Sequence, residues 1–352
     1  MINRNLNGKK NSYKNPQLPV LEKKSKQAVP FLLKPIGKDY LWGGNRLNLD
    51  FSKGIRMQPL AETWECSTHP DGISIVSSGI HAGRPLTQVL AENPHYMGRF
   101  ANAKGELPYL VKLIDAKQDL SVQVHPGDTY AREHENGSLG KTEMWYVLDA
   151  AKDARLIYGF CHDMDKRKVK DSILAGTIEK YLQKIRIHKD DVFFIPPGQV
   201  HSIGAGSLIA EIQENSNITY RLYDYGRTDK SGNERELHID KALEVASLES
   251  SRHPRQPIRV LKFRRGYATE FLCRCKYFQV ERMIINTKRR GQIAHLETVD
   301  NLFQVLLCTE GCGVLFWDAG DMINFFCGDC IFIPANAAGV RIHGQATMLK
   351  IC

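Results

Sequence analysis

The chain has 352 residues, is 42% hydrophobic and 25% charged, and carries a formal net charge of +9. It is long enough to bury a large core, and no apolar run reaches the ~20 residues that span a bilayer, which excludes a helical membrane protein. The positive charge suits nucleic acid, an anionic membrane or a small anionic substrate alike, but no aromatic-interleaved basic motif speaks for nucleic acid.

Residues 1–29 hold Lys9, Lys10, Lys14, Lys23, Lys24 and Lys26 among Asn, Ser and Pro, with no apolar stretch fit for a secretory signal. They read as a loose basic extension. Nine cysteines, an odd number without an export signal, point to a reducing, cytoplasmic setting and away from a disulfide framework.

From Phe31 onward, short β-type runs alternate with Gly, Pro, Asp and Asn: "PYLVKLIDA", "LSVQVHP", "EMWYVLDA", "ARLIYGF", "DVFFIPPG" and "SLIAEIQE". Such spacing predicts a mainly β fold of barrel or sandwich type. Helical periodicity is confined to three places: "PLTQVLAENPHYMGRF" after Gly83, residues 163–185, and residues 239–250. These helices are expected to decorate the strands.

An internal echo organises the chain. The segment "DDVFFIPPGQVHSIG" at 190–204 is matched by "GDCIFIPANAAGVRI" at 328–342. Each reads as a turn, an apolar strand, Ile-Pro and a second strand, which predicts two barrels of similar build. The expected division is a first unit over 30–250 with helical insertions, a basic linker over 251–267, and a second unit over 268–352. The linker carries Arg252, Arg255, Arg259, Lys262, Arg264 and Arg265. The second copy has no His, Asp, Glu or Cys where the first has His201, so the second barrel is expected to be degenerate and without metal ligands.

The chemistry concentrates in the first unit. In "LSVQVHPGD", Gln123 and His125 are two apart on a strand and so project from the same face. "GKTEMWYVLDA" then places Glu143 at the head of another strand, and "PPGQVHSIGAG" places His201 just after a turn. Two imidazoles, a carboxylate and an amide oxygen form a mixed set suited to zinc. Taken singly, each reads more often as structural: a hydrogen-bonded histidine, a strand glutamine, or a surface ion pair of Glu143 with Lys141. The combination on three separate strands is what points to a metal.

Together with "YLWGGNRL", "AETWECSTHPDG" and "EIQENSNITYRLYDYGR", these motifs resemble the type I mannose-6-phosphate isomerases, especially the short bacterial form, over roughly residues 31–350. The resemblance implies cupin-type jelly-roll barrels, one zinc ion per chain, and interconversion of mannose 6-phosphate and fructose 6-phosphate through an enediol(ate). It implies Gln123, His125, Glu143 and His201 as zinc ligands, Lys141 and Arg221 as catalytic groups, and Ser121 facing the same interior. Trp42 would cover the pocket as the family's early tryptophan does, or sit in the core. Lys112 reads either as a contact for the substrate phosphate or as a solvent-facing strand lysine. The expected partner is thus a small sugar phosphate, with neither nucleic acid nor membrane.

One departure stands out. Where the family often carries Asp four residues before the arginine, this chain has Asn217, which cannot accept a proton at neutral pH. Glu62 and Glu65 are the other carboxylates in the family pattern, and a zinc-bound hydroxide or a lysine of lowered pKa is also open as the base. Alternatives to the isomerase are another metal cupin such as a dioxygenase and a non-catalytic sugar-phosphate-binding cupin. Separately, Cys308, Cys312, Cys327 and Cys330 have a spacing that would suit a structural zinc site in the second unit, against a default of small buried apolar residues.

Overall fold

The computed structural model describes residues 28–352 apart from 230, 253, 255, 289–291, 297–300, 318–320 and 338. Most of the basic N-terminal extension, and Arg255 of the basic stretch, lie outside the described residues. The fold is mainly β, with three antiparallel sheets and five short α-helices among the described residues.

The six-stranded sheet runs Val192–Ile195, Glu143–Ala150, Ser207–Glu214, Tyr109–Ala116, Glu62–Cys66, Ile36–Lys38. Its central strands are buried along their length, because both faces are covered. One face, with Tyr109, Val111, Leu113, Met144, Tyr146, Ala210 and Ile212, shares a core with Phe278, Val305, Leu307, Phe332 and Leu349 of the ten-stranded sheet. The other face, with Ile114, Trp145, Val147 and Ile209, packs on Leu156, Ile185 and Ile203 of the five-stranded sheet. That sheet runs Tyr220–Tyr223, Val122–Val124, His201–Ile203, Arg155–Phe160, Leu182–Arg186. The helices Lys166–Leu174 and Ile239–Val245 cover its outer side through Val169, Ile173, Ala242 and Leu243.

The ten-stranded sheet holds the C-terminal part of the chain, centred on Gln304–Trp317 and Val340–Ile351. Two features of it bear on the expected division. Phe31–Lys34, at the start of the expected first unit, pairs with Cys330–Ile333, with Phe31 stacked on Phe332 at 5.1 Å. The basic stretch expected as a linker ends in the strand Lys262–Arg264, which pairs with Tyr267–Arg274. The echoed segments do share their local build: Val192–Ile195 leads through a turn to His201–Ile203, and Cys330–Ile333 leads to Val340–Ile351.

Of the predicted helices, the first and last form as Leu86–Glu92 and Ile239–Val245. The middle one forms only over Lys166–Leu174, started by the Asp165 carboxylate accepting the Lys168 N–H and stopped at Gly176, where φ is 63°. The rest of 163–185 is corrected: Leu182–Arg186 is a strand paired with Arg155–Phe160, and the sheet partner overrides the helical periodicity. The helices Arg46–Phe51 and Asp128–His134 carried no such periodicity and went unpredicted.

Candidate metal centre and active-site cavity

Strand alternation explains how polar groups come to sit inside this fold. On the face of the six-stranded sheet that meets the five-stranded sheet, the i, i+2 rows place Lys112 with Ile114, Glu211 with Ile209, and Glu143 with Trp145 and Val147. The sheet register sets Glu211 directly opposite Lys112 on one side and Trp145 on the other. From the facing sheet, Gln123 pairs across from both His201 and Arg221.

His125, Glu143 and His201 converge and are buried. His125 Nε2 lies 3.3 Å from Glu143 Oε1, and His201 Nε2 lies 3.5 Å from Glu143 Oε2. Each imidazole is oriented from behind, since His125 Nδ1 is 2.8 Å from the Ile218 carbonyl and His201 Nδ1 is 2.7 Å from the Gln199 carbonyl. A carbonyl only accepts, so Nδ1 carries the proton in both rings and the Nε2 lone pairs face the carboxylate.

The donor set fits a metal on its own evidence. Glu143 Oε2 and His201 Nε2 are buried with no hydrogen-bond donor, which is costly unless something else satisfies them. Lys141 approaches Glu143 Oε1 at 2.7 Å and His125 Nε2 at 3.4 Å, an ion-pair contact that leaves Oε2 open. Burial holds both imidazoles in their neutral, ligating form and, with the Lys141 charge, pushes His125 down to about 3. Burial alone would favour a neutral Glu143, but the Lys141 ammonium 2.7 Å away holds it well below the usual carboxylate range. Neutral imidazoles and an ionised carboxylate are the states a divalent ion binds. This is the one metal-competent cluster among the described residues; Cys308, Cys312, Cys327 and Cys330 do not converge, which corrects the second-metal alternative.

Beside the cluster opens a cavity of about 270 Å³. It gathers Trp42, Lys112, Ser121, Gln123, Lys141 and Arg221, six of the nine residues singled out from the sequence. Trp42 is both a cavity wall and a core residue, stacked on Tyr40 at 5.6 Å. Lys112 is no solvent-facing lysine: it is buried, lies 3.2 Å from Glu211 and 3.9 Å from Glu62, and sits 4.8 Å over the Trp64 ring. Burial works against its charge, yet Glu62 and Glu211 hold its amine above the ordinary lysine range.

Sequence reasoning missed Glu211 and Arg235, which line the same cavity. Glu211 accepts from Trp145 Nε1 at 2.8 Å, and its carboxyl is raised by burial and by the neighbouring Glu143. Its position in "SLIAEIQE", in phase with inward-facing Ile209, is the signal that could have found it. Arg235 lies in a non-strand segment and is brought in by Asp224, 2.6 Å away, so nothing local announces it. Glu65 is corrected: one residue out of phase with Glu62 and Trp64, it is paired 2.7 Å from Lys53 and is absent from the cavity wall. Asn217 reaches the rim, where its amide donates to the Asp71 carboxylate at 2.8 Å.

A mainly β chain with a buried His–Glu–His cluster beside a cavity walled by Lys and Arg belongs, by fold, to the cupin class, with a candidate metal site. A model of the phosphomannose isomerase type I catalytic domain matches residues 30–152. The mannose-6-phosphate isomerase ManA of Bacillus subtilis is 40% identical over 320 residues, 90% of this chain and 96% of that protein. The probable mannose-6-phosphate isomerase GmuF of the same organism is 46% identical over 219 residues, 62% of this chain and 69% of that protein. A crystal structure of the mannose 6-phosphate isomerase from Bacillus subtilis superposes with a TM-score of 0.84 at 33% identity, covering 92% of this chain and 99% of that one. The chain therefore belongs to the mannose-6-phosphate isomerase family and is an isomerase of mannose metabolism. No helix among the described residues is long and apolar enough to cross a membrane.

Proposed function

We propose that the chain interconverts mannose 6-phosphate and fructose 6-phosphate by proton transfer between C1 and C2, with one zinc ion held by Gln123, His125, Glu143 and His201. The observation that carries the metal is the pair of orphaned acceptor atoms, Glu143 Oε2 and His201 Nε2, buried beside the His125 imidazole. Bound there, zinc would supply Lewis-acid polarisation of the substrate oxygens.

The remaining work falls to the chain's own side chains. The proton on the carbon next to the carbonyl must be taken by a group that can return it to the neighbouring carbon. Glu211 suits that proton transfer, because it faces the cavity and its raised carboxyl lies nearer the working pH than an exposed glutamate. Lys112 keeps the carboxylate in place from 3.2 Å. With Glu65 aimed elsewhere, at Lys53, and Lys112 closer to Glu211 than to Glu62, 3.2 Å against 3.9 Å, Glu211 is the base in this reading. Negative charge developing on the substrate oxygens is met by Lys141 and Arg221, preorganised at the cavity wall. Arg221 is fixed by donating from Nη1 to the Glu236 carbonyl at 2.7 Å, while its buried Nε lacks a partner and is free for a substrate oxygen. Arg235 adds a second cation for the phosphate dianion, and Ser121 and Trp42 shape the wall.

A coupled isomerase assay with metal content measured in parallel tests this reading. Glu211→Gln is expected to keep its zinc and lose roughly 1,000-fold in kcat, the scale of a general base. Unchanged turnover in that variant removes Glu211 from the role, and a wild-type protein without turnover on mannose 6-phosphate refutes the reading as a whole.

A further inference from the structure

We propose that Asp128 is a positioning residue for the metal centre and that the ten-stranded sheet sets it through the hairpin tip Lys276–Tyr277, an inference that rests on the function proposed above. Asp128 follows His125 by three residues and opens the helix Asp128–His134. Its Oδ1 accepts the N–H of Gly140 at 3.1 Å. The next two amides are also taken, Lys141 N–H by the Pro126 carbonyl at 3.1 Å and Thr142 N–H by Glu214 Oε2 at 2.8 Å. Three consecutive N–H groups directly before Glu143 are thus held, two of them by the segment that follows His125. The two segments touch: a Cβ on Gly140 would stand 2.5 Å from the Asp128 nitrogen and 2.6 Å from the Gly127 carbonyl carbon. Only glycine permits that approach.

The other carboxylate oxygen faces the C-terminal part of the chain. Asp128 Oδ2 accepts from Tyr277 Oη at 2.8 Å and lies 3.0 Å from Lys276 Nζ. Both donors sit in the turn between Tyr267–Arg274 and Gln279–Asn286, closed by Cys275 N–H to the Phe278 carbonyl at 3.0 Å. Phe278 is anchored in the core shared by the two large sheets, so the tip cannot move freely. Asp128 therefore ties His125, Lys141 and Glu143 to a sheet that contributes no residue to the metal cluster, and gives that sheet a part in the site's geometry. Groups that orient metal ligands in this way commonly alter metal affinity or turnover by ten- to a hundred-fold when removed.

The test measures zinc affinity by competition with a chelating dye, alongside kcat, KM and melting temperature, in the full chain. Asp128→Ala is expected to weaken zinc binding about ten-fold and to lower kcat more than it raises KM. Asp128→Asn, which keeps an oxygen for the Gly140 N–H, is expected to recover most of both, and Tyr277→Phe to lose about two- to three-fold. Phe325→Leu, in the apolar core of the ten-stranded sheet, is the control: it lowers the melting temperature without moving zinc affinity. If Asp128→Ala and Tyr277→Phe match wild type in zinc affinity and kcat, or change only as Phe325→Leu does, the inference is overturned while the isomerase reading stands. Should Asp128→Ala fail to fold, Tyr277→Phe decides alone by the same criterion. A wild-type protein that binds no zinc overturns the reading beneath it and this inference together.

Discussion

The two echoed segments, 190–204 and 328–342, share a strand, an Ile-Pro step and a second strand, yet they end in opposite chemistry. In the first, His201 joins the buried cluster beside Glu143 and stands opposite Gln123. In the second, Gly339 occupies that place, with open space where a Cβ would stand. The strand residues diverge as well. Phe194 is 38% exposed, whereas its counterpart Phe332 is fully buried between Phe31 and Phe303, stacked at 5.1 and 5.2 Å. One copy spends its interior on a site and the other on packing, so a shared backbone does not carry a shared function.

Substitutions can break that contrast. The largest effect is expected for His201→Ala, which should lose both zinc and roughly 10,000-fold in turnover, because Glu143 loses its co-ligand. The reciprocal Gly339→His should leave metal content at the wild-type level, since the described residues hold no second group of three metal-competent side chains. Metal analysis after gel filtration checks both. Next comes Phe332→Ala, expected to destabilise by about 3–5 kcal/mol in denaturant unfolding, against less than about 1 kcal/mol for Phe194→Ala. Equal losses at the two positions would dissolve the contrast. Arg221→Ala should keep its zinc and lose about 100-fold in kcat, about 2.7 kcal/mol, as for removal of a charge-stabilising donor.

The smallest effect sharpens the contrast through pH. Glu214 ends a strand of the site-bearing sheet, and burial raises its carboxyl from 4.5 to about 7. A carboxyl raised on folding stabilises fully below its unfolded value, and that contribution is lost as pH rises through about 7. Wild type should therefore lose about 1–2 kcal/mol between about pH 5 and pH 8 that Glu214→Gln does not lose. The amide still accepts the Thr142 N–H and carries no charge to bury. Parallel melting curves for the two proteins at several pH values would expose an identical dependence, which removes Glu214 as the cause.

Much of the site was readable because strand alternation is a local rule. Gln123 and His125 lie in phase, and His201 follows a Pro-Gly turn, so inward projection could be stated without knowing which strands pair. Lys112 was ambiguous for the opposite reason. A strand lysine looks alike whether its face meets water or a second sheet, and only the cover of the five-stranded sheet with Glu62 and Glu211 buried it. The choice between Glu62 and Glu65 stayed open because phase within "AETWECS" does not say which face looks inward.

By itself, the amino-acid order determined the mainly β character, the position of the central strands around the site, the four candidate ligands and the family resemblance, since these follow from residue type and short-range period. Tertiary structure alone decided that Glu211 meets Lys112, that Arg235 enters the cavity, and that Phe31–Lys34 joins the C-terminal sheet. It also decided that Tyr277 reaches Asp128 across 149 positions of chain. Pairings between distant strands depend on which faces bury each other, and no window of sequence contains that information.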